Sequence, residues 1–165
     1  HIRCAPHMGR VKCGGNYASA MHWVLKAKAE YGANQVLFCP NGDVQETGAS
    51  NFILINGDEI ITKPLTDEFL HGVTRDSVLT VAKDLGYTVS ERNFTVDELK
   101  AAVENGAEAI LTGTAAVISP VTSFVIDGKE IEVKSQERGY AIRKAITDIQ
   151  YGLAEDKHGW LVRVC

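Results

Sequence analysis

The stretch NFILINGDEIIT, residues 51 to 62, carries the clearest fold signal in the chain. Asn51 to Ile55 and Glu59 to Thr62 are short apolar runs, and Asn56-Gly57-Asp58 between them has the chemistry of a tight hairpin turn. Two antiparallel strands are predicted here. Just upstream, QVLFC at 35 to 39 stops at Pro40-Asn41-Gly42-Asp43, a second turn signal. It predicts a return strand around Val44 to Glu46, with Glu46 at its end. Further back, residues 16 to 31 place Ala20, Trp23, Val24, Ala27 and Tyr31 on one face at helical spacing, and Gly32 follows as the stop.

Downstream the pattern changes. Thr74 to Leu85 reads as a helix ended by Gly86, and Thr88 to Arg92 as a strand. Thr95-Val96-Asp97-Glu98 is a capping box that opens a helix through about Glu104. Ala107 to Leu111 is a short strand that runs into Thr112-Gly113-Thr114-Ala115-Ala116. A further strand pair brackets Asp127-Gly128-Lys129, and Glu137 to Tyr151 forms the last helix. The fold class is mixed α/β of the α+β type, with mostly antiparallel strands and surrounding helices. No repeat or linker divides the chain.

With 165 residues the chain fits one domain, large enough to bury roughly 70% of the surface its unfolded form exposes. Its 45% apolar and 23% charged composition is that of an ordinary soluble protein, and a net charge of -4 argues against nucleic acid. No apolar run is long enough to span a bilayer, and residues 1 to 15 lack the core of a signal peptide. No membrane partner and a cytoplasmic location are expected. Cys4, Cys13, Cys39 and Cys165 contain no CxxC pair and read as free thiols, and the five histidines show no metal-ligand spacing. The chain opens on His1-Ile2-Arg3-Cys4 without an initiator methionine, and is expected to continue a longer polypeptide.

Several segments offer chemistry. Lys12 stands beside Cys13, Gly14, Gly15, Asn16 and Tyr17 just ahead of a helix. A partly desolvated lysine amine there suits attack on an aldehyde cofactor. Leu70-His71-Gly72-Val73-Thr74 leads into a helix whose first amides suit an anion, and the residues 112 to 116 add a small-residue turn with two hydroxyls. Thr74 equally suits a helix N-cap, and Gly113 a turn. Glu46 is a carboxylate able to pair with a protonated pyridine nitrogen. Together these are the parts that a pyridoxal phosphate site requires.

The ordered motifs KCGGNYA (12 to 18), QVLF (35 to 38), QETGASNFI (45 to 53), GVTRDS (72 to 77), TGTAAVISPV (112 to 121) and DIQYG with HGW (148 to 160) cover nearly the whole chain. On them the chain resembles the large-domain half of branched-chain amino acid aminotransferases, fold-type IV pyridoxal phosphate enzymes. The resemblance implies pyridoxal 5′-phosphate as cofactor and Lys12 as Schiff-base lysine and proton shuttle. It implies Tyr17 on the ring hydroxyl, Glu46 on the pyridinium nitrogen, and Val73, Thr74, Gly113 and Thr114 around the phosphate. The amides of Thr114 and Ala115 would receive the substrate carboxylate. The implied reaction moves an amino group between leucine, isoleucine or valine and 2-oxoglutarate, in a homodimer.

Residues 1 to 165 correspond to the cofactor-binding large domain, and the small N-terminal domain of the family is absent from this chain. Weak or no turnover is therefore expected of the chain alone. His71 stands where the family commonly has proline, and His7-Met8 replaces a usual glycine pair. The related readings are D-amino acid aminotransferase, aminodeoxychorismate lyase, and a noncatalytic cofactor-binding or assembly module.

Overall fold

The computed structural model describes residues 1–164, so Cys165 lies outside the described residues. The elements in order are α1 (Gly14–Tyr31), β1 (Asn51–Asn56), β2 (Glu59–Thr62), α2 (Val73–Asp84), β3 (Thr88–Glu91), α3 (Val96–Glu104), β4 (Glu108–Gly113), β5 (Val117–Pro120), β6 (Ser123–Ile126), β7 (Lys129–Glu132) and α4 (Glu137–Gln150). Five strands form one sheet in the order β3-β2-β1-β4-β5, and β6 and β7 form a separate pair. The 51 to 62 hairpin lies at its heart, with Leu54 opposite Ile61 and Asn56 opposite Glu59. All pairings are antiparallel except β2 with β3. That parallel pair makes β2, α2 and β3 a βαβ unit, which the chain's lack of regular alternation does not suggest.

β1 is buried on both faces, which accounts for its continuous apolar run. Ile53 and Ile55 join Ile60 and Ile110 in packing against Val78, Leu79 and Ala82 of α2 and Ile142 and Ile146 of α4. Phe52 and Leu54, pointing the other way, pack with Ile61, Ala109, Phe94 and Val133, and with Leu99 and Val103 of α3. The sheet is therefore covered on both sides. Thr95 caps α3 as its capping-box pattern predicts, its hydroxyl accepting a hydrogen bond from the Glu98 amide.

Two expectations are corrected. Residues 35 to 39 and 44 to 46 form no regular strands, and Glu46 is not at a strand end. They meet through one bridge, Leu37 with Thr47, and through Phe38 N donating to Glu46 O (3.0 Å) and Gln45 N to Phe38 O (3.1 Å). The ladder stops because the next residues pair elsewhere: Val44 N donates to Phe94 O, and Asp43 bridges Thr95. α1 begins earlier than residue 16, and of its expected apolar face only Ala20 is fully buried, while Tyr31 is exposed. The helix sits outside both cores and packs instead on the loop carrying Glu46, where a Cβ at Gly48 would come 3.1 Å from the Ala20 Cβ.

The start of α4 depends on a buried carboxylate from another strand. Glu108 of β4, 1% exposed, accepts hydrogen bonds from Ser135 Oγ (2.9 Å), Arg138 N (3.2 Å) and Gly139 N (3.0 Å). Glu108→Ala removes this cap and strands the buried Gly139 amide. It is expected to lower stability by about 2–3 kcal/mol in denaturant unfolding. An unchanged midpoint would show that water replaces the carboxylate at no net loss.

Candidate active site

A cleft of about 240 Å³ opens where the turn before α1, the 46 to 51 loop, the start of α2 and the end of β4 come together. Lys12, Tyr17, Glu46, Val73, Thr74, Gly113 and Thr114 all line it. Ala115, the next residue in the β4 to β5 turn, is exposed and outside its walls. Segments far apart in the sequence thus place their functional groups around one space.

Lys12 is set by a compact turn rather than by the helix that follows. The buried side chain of Asn16 donates from Nδ2 to Met8 O (2.8 Å) and Val11 O (2.9 Å), and Cys13 N donates to Val11 O (3.0 Å). The lysine itself is exposed, contrary to the desolvated setting expected of it. Cys13, half-buried, is the N-cap residue of α1 without a side-chain cap bond.

Glu46 is the opposite case, only 4% exposed. Its Oε1 lies 2.6 Å from Arg3 Nε and accepts from Leu70 N (3.2 Å), while Oε2 accepts from Asn51 Nδ2 (2.7 Å). Burial pushes its pKa up from 4.5 to about 7 against the opposing pull of Arg3, the Leu70 and Asn51 hydrogen bonds, and Arg75. The loop around it is closed on itself, with Thr47 Oγ1 accepting from Ser50 N (3.0 Å) and Thr47 N donating to Ser50 O (3.0 Å).

Also lining the cleft, Gly72 and not Thr74 is the N-cap of α2, and no side chain caps the helix among the described residues. The first amides of α2 therefore have no intrahelical acceptor, and their dipoles favour an anion. Val73 is 82% exposed and presents its backbone there, while Thr74 adds a hydroxyl within the first turn. Thr112 of β4, opposite Asn51 in the β1 ladder, is 1% exposed, and its hydroxyl finds no hydrogen-bond partner among the described residues. His71, the departure at this loop, has Nε2 2.9 Å from Thr66 O, so its ring is tied to the preceding turn.

A family model described as "Amino-transferase class IV" matches residues 8–124, more than two thirds of the chain and nearly all of this cleft. The chain belongs to the class IV aminotransferases. It is 40% identical over 169 residues to a probable branched-chain-amino-acid aminotransferase of Streptomyces coelicolor, covering 97% of this chain and 46% of that protein. The branched-chain amino acid aminotransferase of Escherichia coli superposes with a TM-score of 0.83 at 31% identity, over 99% of this chain and 54% of the other. That of Thermobaculum terrenum, solved in its PLP-form, gives 0.77 at 30% identity, over 94% and 49%. The chain spans about half the length of the relatives it matches.

Within this class IV aminotransferase fold, the sequence reading missed Arg3, Asn16, Asn51 and Thr112. Arg3 and Asn16 carry no local signal. Asn51 and Thr112 have one, as polar residues next to apolar strand runs, where a buried side chain needs a partner. Asn51 also explains Gly72. A Cβ at Gly72 would fall 2.1 Å from Asn51 Oδ1, and Asn51 is tied to Glu46 and also donates to Leu70 O at 2.8 Å. Gly72→Ala is expected to displace Asn51 and weaken binding at the α2 end by about tenfold, read by titrating pyridoxal 5′-phosphate. Unchanged affinity would show that Asn51 moves freely.

Proposed function

We propose that the complete protein transfers an amino group between leucine, isoleucine or valine and 2-oxoglutarate, with pyridoxal 5′-phosphate held in this cleft. The observation that carries the reading is the convergence of Lys12, Glu46 and the uncapped start of α2 on one space. The names of the relatives support the substrate class. The residues fit the cofactor on chemical grounds. Free amides and hydroxyls, a buried carboxylate and the Thr112 hydroxyl, which finds no partner among the described residues, all line the cleft.

The cofactor, when bound, supplies an aldehyde and a ring that accepts electrons. Lys12 Nζ would be the amine that links to the aldehyde with loss of water and, once the substrate amine displaces it, would carry the proton at the substrate α-carbon. Glu46 would hold the proton of the ring nitrogen, and the Tyr17 hydroxyl would bond the ring oxygen. The amides of Val73 and Thr74, with Gly113 and the Thr74 and Thr114 hydroxyls, would hold the phosphate. The Thr114 amide at the cleft wall would receive the substrate carboxylate, with the Ala115 amide reaching it from just outside that wall.

Residues 1–165 form the cofactor-binding large domain in this reading, about half the length of the relatives the chain matches. The complete enzyme is a cytoplasmic homodimer acting on amino and 2-oxo acids. Among the described residues no helix is long and apolar enough to cross a membrane. The net charge of -4 gives no electrostatic footprint for nucleic acid. Adding pyridoxal 5′-phosphate to the chain and recording its visible spectrum tests the site. A visible band is expected from the chain, and amino transfer from leucine only from the complete protein. A chain that develops no band would instead be a noncatalytic scaffold.

A further inference from the structure

Among the described residues, the cleft holds one buried cation that none of these roles employs. Arg3 is 4% exposed and comes from the segment before α1. Its Nη2 donates to Gly9 O (3.1 Å), and Gly9 N in turn donates to Asp67 O (2.9 Å), so the segment is fastened over the loop beside Glu46. Arg3 Nε and Glu46 Oε1 are 2.6 Å apart, with both side chains almost wholly out of water. The Nε–H finds no aligned hydrogen-bond acceptor, so this contact acts chiefly through charge.

A carboxylate this deeply buried stays ionised only where a cation faces it. The other partners of Glu46 are the neutral Asn51 amide and Leu70 N–H. Lys12, Tyr17 and His71 line the same cleft as Glu46, and Glu68 accepts a hydrogen bond from the neighbouring Gln45 (3.0 Å). Arg75 comes from α2 and acts at longer range than Arg3. The Cys4 thiol lies on the same segment as Arg3 and senses both Glu46 and Glu68. Arg75 is itself engaged, donating to Lys63 O (2.8 Å) and pairing with Glu91 (2.6 Å).

We propose that Arg3 is a positioning residue that keeps Glu46 an oriented carboxylate, so that Glu46 can hold the proton on the ring nitrogen of the cofactor. The last step rests on the pyridoxal 5′-phosphate reading, whereas the ionisation of Glu46 does not. The two are separable by experiment. Carbon NMR of the glutamate side-chain carboxyls, with Glu46 assigned by its loss in Glu46→Gln, follows the titration in the cofactor-free chain. Arg3→Gln, which keeps donors but loses the charge, is expected to raise the Glu46 titration by about one pH unit or more. Arg3→Lys is expected to restore most of the difference, an outcome that a purely steric role would not produce.

The same variants are then titrated with pyridoxal 5′-phosphate. Arg3→Gln is expected to bind about tenfold more weakly at about pH 7.5, with recovery in Arg3→Lys. If Arg3→Gln does not fold, the Nε–H signal of Arg3 in the unaltered chain decides, since it must move with the Glu46 titration. A Glu46 titration unchanged in Arg3→Gln, or an Arg3 signal blind to it, overturns the proposal. A normal NMR result from a chain that takes up no cofactor would uphold the Arg3 and Glu46 coupling and sink the cofactor step alone.

Discussion

Lys12→Ala is expected to abolish the visible band that pyridoxal 5′-phosphate develops with the chain, and to abolish amino transfer by the complete protein. In the proposed site this amine is the group that would form the covalent link and carry the α-proton, and a methyl group replaces neither function. The fold should hardly notice. Lys12 is exposed, and the turn that carries it is secured by Asn16 through Met8 O and Val11 O, bonds that the substitution leaves in place. Exposed substitutions of this kind change stability by about 0.5 kcal/mol or less. The variant should therefore melt like the parent without cofactor while failing to form the band with it. A band that survives would assign the covalent chemistry to another amine and remove the central residue of the proposed site.

The parts of the molecule legible from sequence are those whose physics is local. Asn56 and Gly57 specify a turn whatever lies around them, and the 51 to 62 hairpin follows. Thr95 and Glu98 specify a helix start within four residues. The 35 to 46 segment has equally local signals, yet its backbone is divided between Phe38 and Phe94. A distant competitor of that kind leaves no trace in a short window. The same reasoning separates the site residues. Lys12, Tyr17, Glu46, Thr74 and Thr114 stand in motifs that are recognisable as strings. Arg3 and Asn51 in the site, like Glu108 beneath α4, matter because of what the fold brings beside them. Gly72 joins both groups: the motif contains it, but only the contact with Asn51 Oδ1 explains why nothing larger sits there.

Glu46→Gln is expected to make the cofactor-free chain more stable at about pH 8 while impairing its function. The folded carboxyl has a pKa of about 7 against an ordinary 4.5, with burial as the leading cause. The folded state therefore takes up this proton more readily than the unfolded chain. Its contribution to stability is complete below pH 4.5 and is lost as the pH rises through 7. That loss amounts to about 3 kcal/mol. Glutamine resembles the protonated acid and leaves Arg3 facing a neutral side chain, as protonation of Glu46 does, so the variant should stay on the low-pH plateau. Unfolding curves at about pH 4.5 and about pH 8 should diverge for the parent much more than for Glu46→Gln. The amide cannot balance a charged ring nitrogen, and a hydrogen bond to a charged group contributes about 1.5–3 kcal/mol, so affinity for pyridoxal 5′-phosphate should fall by roughly tenfold to a hundredfold. Stability and binding then move in opposite directions, the pattern of a group retained for chemistry at the expense of the fold. A Glu46→Gln chain less stable than the parent at about pH 8 would instead mean that the carboxylate and Arg3 together stabilise the fold.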